Sequence, residues 1–499
     1  MKRTQFIQTL TLSGIITVFV PCLLTGQENK SNTDKPNILF IITDQQAHNM
    51  MSCTGNRYLN TPNLDKLASM GVRFEMNYSV CPVCSPTRFS LMTGHYPSEV
   101  GIKENPRTVR PARFDSFEDK VQSTYEFDLP KLEEIKKEAW GNIFRRAGYE
   151  TFYSGKRHLW GKFSGYGFTS KGQDPFDGPA IYAENTFAEM AKSKPEKPFL
   201  MYLSFMEPHG ICYQQLETNE IPESQVRFIK QYRELHKTMR RENYLSQIPP
   251  RKTSRPIGDE HPDMFSFISH YRHWDQEWDM YNWIYHRLTE TADKQIGRVL
   301  YALEKSGLQD NTIIIFTSDH GDMQGAHGLV WKNVLLEECQ RVPFIFAGPG
   351  IKQNIVDKTT LVCNGLDLLP TVCDLAGIDI PKGLKGISLK PYLTGEGTKP
   401  EREYLITECF NAFQITDGRY KYTIYELPGH PETLTDILIN PDETINYAND
   451  AEYKKIKEYY KKELMADLTN RGLAPLAEDR QIEYVWPTRT TSTLPFYEN

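Results

Sequence analysis

Polar side chains able to bind metals or anions follow four short apolar runs of this chain, at the point where each run ends. The runs are 37–43, 151–153, 199–205 and 312–317. The residues that follow them are Asp44 and Gln45, Lys156 and His158, His209, and Asp319 and His320. Taken singly, Asp44 or Asp319 would be expected to cap a helix or form a turn. Their joint placement after strands instead predicts one shared site for a cation and an anion.

The apolar runs predict the elements that position these residues. Near-continuous rather than alternating apolar residues are typical of strands buried on both faces of a parallel sheet. Helical patterns lie between them, at 64–70 and, with a long apolar stripe, at 283–303. Alternating strands and helices predict an α/β sheet with helices on both faces. Ligands of such sheets bind beyond the carboxyl ends of the strands, where the polar residues lie.

The chain changes character after about Pro391. Residues 413–416, Asp417-Gly418 and 420–425 predict an antiparallel hairpin with a glycine-containing turn. The segment 452–468 predicts a closing helix. We therefore expect a catalytic domain over 35–390 and a smaller α+β subdomain over 391–499. The stretch 210–280 predicts loops and helices inserted near the site.

Composition and the N-terminus define the class of protein. The chain has 499 residues, 39% of them hydrophobic and 24% charged, as in a soluble globular protein. A net charge of −6 argues against a nucleic-acid partner. Lys2 and Arg3 precede an apolar run at 10–20, which predicts a signal peptide over residues 1–26 and a secreted or periplasmic protein. The run is too short for a stable membrane span. Cys22 leaves a lipoprotein as an alternative.

Two of the nine cysteines form a Cys-x-x-Cys pair, Cys81 and Cys84, which alone would fit redox chemistry or half of a zinc site. The segment 84–94 reads CSPTRFSLMTG. It resembles the signature of the type I sulfatases, in which Cys-x-Pro-x-Arg followed by Thr-Gly marks a cysteine that is oxidised to formylglycine. Cys84 has proline two and arginine four positions later, whereas Cys81 has Val83 and Ser85. The register therefore favours Cys84 and disfavours the redox interpretation.

The resemblance extends over most of the chain after the leader. Further motifs similar to the family occur in order: TPNLDKLA at 61–68, GKRH at 155–158, SDHG at 318–321, HG at 327–328 with Lys332, RVP at 341–343 and DLLPT at 367–371. The resemblance implies an alkaline phosphatase-like fold, with a large mixed, mainly parallel sheet between helices and an antiparallel sheet in the C-terminal subdomain. It also implies a sulfuric ester hydrolase.

The resemblance further implies the cofactors. A maturation enzyme would convert Cys84 to formylglycine (3-oxoalanine), whose hydrated form attacks sulfur with one oxygen and expels sulfate with the other. One Ca²⁺ per chain would be held by the residue at 84 together with Asp44, Gln45, Asp319 and His320. Oxygen donors dominate this set, which favours calcium or magnesium over zinc. Gln45 and His320 stand where many relatives carry an acid and an asparagine, so we expect weaker occupancy.

Five basic residues complete the site that the resemblance implies. Arg88 would orient the nucleophile, and Lys156 and Lys332 would bind the sulfate oxygens. His158 would contact the second oxygen of the nucleophile, and His209 would donate a proton to the leaving alkoxide, a poor leaving group without such help.

Other polar residues receive weaker assignments. Asp322 and His327 lie close to the metal segment in sequence, and we expect them to hydrogen-bond to its ligands rather than to react. The insertion carries aromatic and basic residues that could bind a sugar, although such aromatics more often pack in a core. These are His270, Tyr271, Arg272, His273, Trp274, Asp275, Trp278 and Tyr281.

The resemblance implies a sulfated oligo- or polysaccharide as substrate. Two alternatives remain: a phosphonate or phosphate monoester hydrolase of the same superfamily, and an inactive protein that binds sulfated glycans. Relative turnover of aryl sulfate and aryl phosphate separates the two enzymes. The full set of Cys84, Arg88, Lys156, His158 and Lys332 argues against a mere binding protein.

Overall fold

A computed structural model describes most of the chain between residues 35 and 473. The described residues are 35–103, 105, 129–160, 162–170, 174–213, 223–249, 275–410, 412–426 and 431–473. The predicted signal peptide lies outside them. Among the described helices, none combines the length and apolar character that a membrane crossing requires.

An eight-stranded sheet forms the centre of the protein, in the order β5-β4-β6-β1-β7-β8-β2-β9. Its strands are β1 (Asn37–Asp44), β2 (Gly71–Phe74), β4 (Glu150–Gly155), β5 (Thr169–Ser170), β6 (Phe199–Pro208), β7 (Thr312–Ser318), β8 (Phe344–Ala347) and β9 (Ile355–Asp357). Two further short strands, β3 (Asn77–Tyr78) and β10 (Val362–Cys363), pair separately with each other. β1 pairs in parallel with both β6 and β7, and only β8 opposes its neighbours. The mixed, mainly parallel sheet is confirmed.

Helices cover both faces of this sheet, as predicted. The helices described before the C-terminal sheet are α1 (Pro62–Ser69), α2 (Cys84–Thr93), α3 (Leu129–Lys137), α4 (Trp140–Arg146), α5 (Gly178–Ser193), α6 (Glu223–Thr238), α7 (Arg241–Leu245), α8 (Asp275–Lys305), α9 (Glu337–Gln340), α10 (Asn364–Leu375) and α11 (Lys390–Thr394). Successive residues of β1 point to opposite faces. Phe40 packs with Trp140 and Leu369 of α4 and α10, whereas Leu39 packs with Phe187 and Val299 of α5 and α8. Burial on both faces explains why the strands are apolar throughout.

A four-stranded antiparallel sheet follows near the C-terminus, composed of β11 (Leu405–Cys409), β12 (Ala412–Thr416), β13 (Tyr420–Tyr425) and β14 (Glu432–Asp436). The predicted hairpin is confirmed, with Thr416 opposite Lys421 and Gly418 in the turn at φ 91°. The closing helix is α12 (Lys454–Asn470), which buries Leu464 and Leu468 in the core of this sheet. The boundary between residues 390 and 391 stays a prediction.

The insertion is helical where it is described, in α6, α7 and the start of α8. Trp278 and Tyr281 are buried in one hydrophobic cluster, in line with the packing interpretation. Asp275 begins α8. The other candidate sugar-binding residues, 270–274, lie outside the described part of the chain.

Candidate active site

Four neighbouring strands of the large sheet end at one place. Asp44 is the last residue of β1, and Lys156 comes directly after β4. His209 follows β6, and Asp319 and His320 follow β7. Because these strands are parallel and adjacent in the order β4-β6-β1-β7, their carboxyl ends share an edge. The sheet thus brings together residues from four distant parts of the chain.

Cys84 is delivered to the same place by α2, of which it is the first residue. Val83 precedes it in an extended conformation, and all residues of α2 are buried. The Cys84 Sγ lies 2.9 Å from Lys332 Nζ, 3.1 Å from His320 Nε2 and 3.7 Å from Asp44 Oδ1. The free amides of a helix start also favour negative charge at this position.

Arg88 lies one helical turn after Cys84 and fixes the two buried acids. Its Nε donates to Asp319 Oδ2 at 2.9 Å, and its Nη2 donates to Asp44 Oδ2 at 2.8 Å. Lys156 Nζ lies 2.7 Å from the same Asp44 oxygen. Asp44 Oδ2 is therefore engaged by two cations, which leaves Oδ1 facing Cys84 and His320.

The positive charges determine how the buried thiol and acid ionise. Burial alone would raise the pKa of the Cys84 thiol, but Lys332 and Lys156 outweigh burial and lower this pKa well below its usual value. Burial and the nearby Cys84 act to raise the pKa of the Asp44 carboxyl. The positive charges of Lys156, His209 and Arg88 outweigh both, so this pKa lies far below its ordinary range. The negatively charged forms of the Cys84 thiol and the Asp44 carboxyl are thus favoured in this cluster.

Gln45 adopts a left-handed backbone at φ 69°, which is uncommon for a residue other than glycine. Tyr285 stabilises this turn by donating its hydroxyl to the Gln45 carbonyl at 2.5 Å. The side-chain Nε2 donates to Asp322 Oδ2 at 2.7 Å, and Oε1 accepts from Lys332 Nζ at 2.9 Å. Tyr281 OH donates to the same Asp322 oxygen at 2.7 Å. Asp322 therefore orients the amide so that its oxygen faces Lys332.

Three histidines surround Cys84. His158 and His209 both hydrogen-bond with its thiol. Burial lowers the pKa of His158, and burial with Lys156 and Lys332 lowers the pKa of His209 to about 3. The third, His320, has Nδ1 2.9 Å from the Gly321 carbonyl, which can only accept a hydrogen bond. Nδ1 therefore carries the proton, and Nε2 presents a lone pair to the cluster in the neutral ring.

Backbone strain is concentrated in the loops around this cluster. Nine described residues other than glycine have positive φ, and six of them belong to the segments that carry or flank site residues. These six are Gln45, His158, Gln324, His327, Trp331 and Asn333. Such conformations persist where the surrounding contacts enforce them, and they are common at functional sites.

Three residues that support the site were not predicted from the sequence. Ser204 accepts from Arg88 Nη1 at 2.7 Å, Cys212 Sγ lies 3.2 Å from Gln45 Oε1, and Tyr285 stabilises the Gln45 turn. The position of Cys212, three residues after His209, was an available signal. Ser204 and Tyr285 lie inside a strand and a helix, where the sequence gives no indication that their hydroxyl groups reach the site.

The donor set suits a divalent cation. Asp44, Cys84, Asp319 and His320 each offer one ligand atom, and these four atoms lie within 4.8 Å of one another. All four residues are fully buried. Gln45 Oε1, adjacent to Lys332 Nζ, adds an oxygen donor. This arrangement can hold a cation and an anionic substrate side by side, with one reactive residue between them.

Comparison with known proteins identifies the family. The family model for sulfatases matches residues 36–378, which is more than half of the chain. The chain belongs to the sulfatase family. A second model, for the C-terminal part of N-sulphoglucosamine sulphohydrolase, matches residues 325–470. The expected enzyme class, sulfuric ester hydrolase, is thereby confirmed.

Individual relatives of this sulfatase include sugar sulfatases. A Δ4,5-hexuronate-2-O-sulfatase of Bacteroides thetaiotaomicron is 30% identical, covering 85% of this chain and 86% of the relative. An N-acetylglucosamine-6-O-sulfatase of the same organism is 29% identical, covering 82% and 84%. The solved structure of a 2-O GAG sulfatase superposes with a TM-score of 0.68 at 29% identity, covering 88% and 93%.

The fold of the sulfatase is also shared with a phosphonate monoester hydrolase of Agrobacterium radiobacter. The TM-score is 0.66 at 20% identity, covering 88% of this chain and 96% of the other. At this identity the likeness concerns the fold alone. The alkaline phosphatase-like architecture is confirmed.

Proposed function

We propose that this sulfatase removes sulfate from a sulfated carbohydrate, with formylglycine derived from Cys84 as nucleophile and Ca²⁺ as its metal. The observation that carries the proposal is the position of Cys84 Sγ, within 2.9 Å of Lys332 Nζ and 3.7 Å of Asp44 Oδ1. Residue 84 therefore lies beside both the lysine that would bind the anion and the acid that would bind the metal. When hydrated, formylglycine would supply an oxygen nucleophile at this point.

Asp44, Gln45, Asp319, His320 and the modified residue 84 would hold the calcium ion. Calcium prefers six to eight oxygen donors, and this set supplies carboxylate, amide and aldehyde-derived oxygens with one imidazole. Its charge would lower the pKa of the nucleophile and offset the charge of the sulfate ester.

The basic residues would act on the substrate and the nucleophile. Lys332 and Lys156 lie next to Cys84 and Asp44, and their ammonium groups would bind sulfate oxygens as charge develops. Arg88 would hold the carboxylates of Asp44 and Asp319 in place relative to the start of α2. His158, hydrogen-bonded to residue 84, would hold the second oxygen of the nucleophile.

His209 would protonate the leaving alkoxide. In the free protein burial and two lysines keep it neutral, with a pKa of about 3. A bound sulfate monoester would neutralise the lysines and favour the imidazolium. We expect His209→Ala to lower kcat on a sugar sulfate by about 100-fold, but by less than about 5-fold on 4-nitrophenyl sulfate, whose leaving group needs no proton. Equal losses on both substrates would contradict this role.

The substrate class follows from the relatives. The sugar sulfatases that resemble this chain act on a hexuronate and on N-acetylglucosamine, so a sulfated sugar of an oligo- or polysaccharide is the proposed substrate. The proposal also includes a formylglycine-generating maturation enzyme as partner, and a secreted or periplasmic location from the predicted signal peptide.

Substitution of the nucleophile tests the proposal. We expect Cys84→Ala to lower kcat/KM on an aryl sulfate by about 10,000-fold or more, while circular dichroism and the thermal midpoint stay unchanged. Cys81→Ala, which changes the other thiol of the pair, is the matched control and should keep activity. Near-parental turnover by Cys84→Ala would exclude this nucleophile.

The phosphoryl-transfer alternative has a direct test because the fold is shared with a phosphonate hydrolase. Kcat/KM on aryl sulfate should exceed that on aryl phosphate and aryl phosphonate by at least about 100-fold. A dominant phosphorus-ester activity would favour the alternative, and no activity on either class in formylglycine-containing protein would favour a sulfated-glycan binding protein.

A further inference from the structure

The buried cluster at the strand ends, here called the strand-end cluster, contains Asp44, Cys84, Arg88, Asp319, His320 and Lys332. It offers an unusual set of metal donors before Cys84 is modified. Its four possible ligand atoms come from one thiol, one imidazole and two carboxylates. Calcium rarely uses sulfur, whereas a mixed sulfur, nitrogen and oxygen set is typical of zinc. The unmodified chain therefore offers donors that suit an ion different from the one that the mature enzyme would use.

The separations between the donor atoms also fit zinc. Tetrahedral coordination with ordinary Zn–S, Zn–N and Zn–O bonds places ligand atoms about 3.3–3.6 Å apart. Here Cys84 Sγ lies 3.1 Å from His320 Nε2 and 3.7 Å from Asp44 Oδ1. His320 Nε2 lies 3.9 Å from Asp44 Oδ1 and 3.6 Å from Asp319 Oδ1. These four of the six separations come within about 0.3 Å of that range. The other two, from Asp319 to Cys84 and to Asp44, are at most 4.8 Å.

The surroundings prepare each donor for an ion. The Gly321 carbonyl accepts a hydrogen bond from His320 Nδ1, so Nε2 points toward the cluster. Arg88 engages Oδ2 of both acids, so each acid would bind an ion through Oδ1. Asp319 Oδ1 also accepts from the backbone amides of Gln45 and His320, which fix its position. Lys332 Nζ, 2.9 Å from Cys84 Sγ, offsets the charge of a thiolate, and any thiol proton passes to solvent when the metal–sulfur bond forms.

We propose that the unconverted protein binds one Zn²⁺ through Cys84, His320, Asp44 and Asp319, and that conversion of Cys84 to formylglycine changes the preference of the site to Ca²⁺. The two ions carry the same charge, so the charge balance of the cluster does not discriminate between them. The donor atom at position 84 discriminates between the two ions. Conversion replaces a soft sulfur with oxygen, which removes the zinc-selective ligand and adds one of the oxygens that calcium needs.

This inference rests on the proposed function for the identity of the mature nucleophile, but its test does not depend on turnover. Metal-free protein is prepared from cells lacking the maturation enzyme, and the mass of the peptide carrying Cys84 confirms that it is unconverted. Co²⁺, as a visible probe, should give tetrahedral absorption bands and a thiolate charge-transfer band with one ion per chain. Competition with a chelator should show Zn²⁺ bound at least about 100-fold more tightly than Ca²⁺.

Matched variants test whether the Cys84 sulfur is the one that binds the metal. Cys84→Ser should lose the charge-transfer band and bind Zn²⁺ about 100-fold more weakly, whereas Cys81→Ser should behave like the parent. Formylglycine-containing protein should bind Ca²⁺ more tightly than the unconverted form does. The proposal is overturned if the Co²⁺ complex of the parent shows no thiolate band, or if Cys84→Ser binds Zn²⁺ as tightly as the parent. Either result leaves the sulfatase activity of converted protein, measured separately, unaffected.

Discussion

Two buried groups of charged residues can be compared in this molecule. The strand-end cluster contains Asp44, Cys84, Arg88, Asp319, His320 and Lys332. The second, here called the subdomain cluster, contains Glu337 of α9, Lys421 of β13 and Glu443. Lys421 is only 1% exposed and its Nζ lies 3.2 Å from Glu337 Oε1 and 2.7 Å from Glu443 Oε1.

The two clusters differ in how their polar atoms are used. In the subdomain cluster the remaining oxygens are also engaged, Glu337 Oε2 by Arg341 and Glu443 Oε2 by the Glu337 amide. In the strand-end cluster, Asp44 Oδ1 and His320 Nε2 instead face the Cys84 sulfur. A buried cluster whose charged groups are all paired can stabilise the packing of two parts of the fold. A buried cluster whose donor atoms face one common point can instead bind a ligand and react with it. Substitutions of the buried lysine in each cluster separate these two roles.

Of the buried lysines in the two clusters, Lys332 of the strand-end cluster should have the larger effect on activity. Lys332→Ala removes the ammonium beside Cys84 Sγ and Gln45 Oε1, and we expect kcat/KM on aryl sulfate to fall by about 1,000-fold. Lys390→Ala, which breaks only a partly exposed pair with Asp374, should stay within about 2-fold of the parent. Similar kinetics for the two variants would remove Lys332 from the anion site.

The buried lysine of the subdomain cluster should act on stability instead. Lys421→Ala leaves two buried carboxyl groups without their cation, which should cost about 3 kcal/mol of unfolding free energy in urea titrations. Activity per folded molecule should remain within about 2-fold, since among the described residues no hydrogen bond or ion pair joins Glu337, Lys421 or Glu443 to the strand-end cluster. A stable but inactive Lys421→Ala protein would contradict the distinction.

The subdomain cluster should also make stability depend on pH. Burial, together with Glu337 and Glu338, raises the pKa of Glu443 from 4.5 to about 7 despite Lys421. Because the folded value lies above the unfolded one, its contribution is present below pH 4.5 and is lost as the pH rises through about 7. Relative to Glu443→Gln, the parent should lose about 2 kcal/mol between pH 4.5 and pH 8 in denaturant titrations. A pH-independent difference between the two proteins would show that Glu443 does not titrate in this range.

A smaller effect should follow from the hydroxyl group that orients Asp322. Tyr281→Phe removes the hydrogen bond to Asp322 and should lower kcat/KM by about 10-fold through a less well held Gln45. Tyr232→Phe, which removes a partly buried hydroxyl bonded to Thr291 and to the Arg287 carbonyl, is the control and should change activity by less than about 2-fold. The hypothesis fails if both variants lose activity equally.

The sequence was most informative where an apolar strand ends in a chemically active residue. The strands leading to Asp44, Lys156, His209 and Asp319 were predicted because burial on both faces makes their residues apolar throughout. The short strands β2, β8 and β9 were not predicted, since three or four residues carry too little pattern, and the reversed direction of β8 went unseen with them.

The site was predictable as a list of residues but not as a network. Motif spacing indicated Cys84, Arg88 and the strand-end residues, and the structure brings these side chains together. The turn at Gln45 depends on Tyr285, which is 240 positions away in the chain. Such contacts between distant segments are determined by packing of α8 against the sheet, and no local pattern records them.

The central claim is that Cys84, once oxidised, is the nucleophile, and the most direct test relates activity to the degree of conversion. Preparations made with increasing amounts of maturation enzyme are assayed on aryl sulfate. The converted fraction of each is measured from the peptide carrying residue 84, whose mass falls by about 18 Da on oxidation. We expect kcat per chain to rise linearly with the converted fraction from an intercept of zero. Activity that persists in unconverted protein, or does not change with conversion, would contradict it.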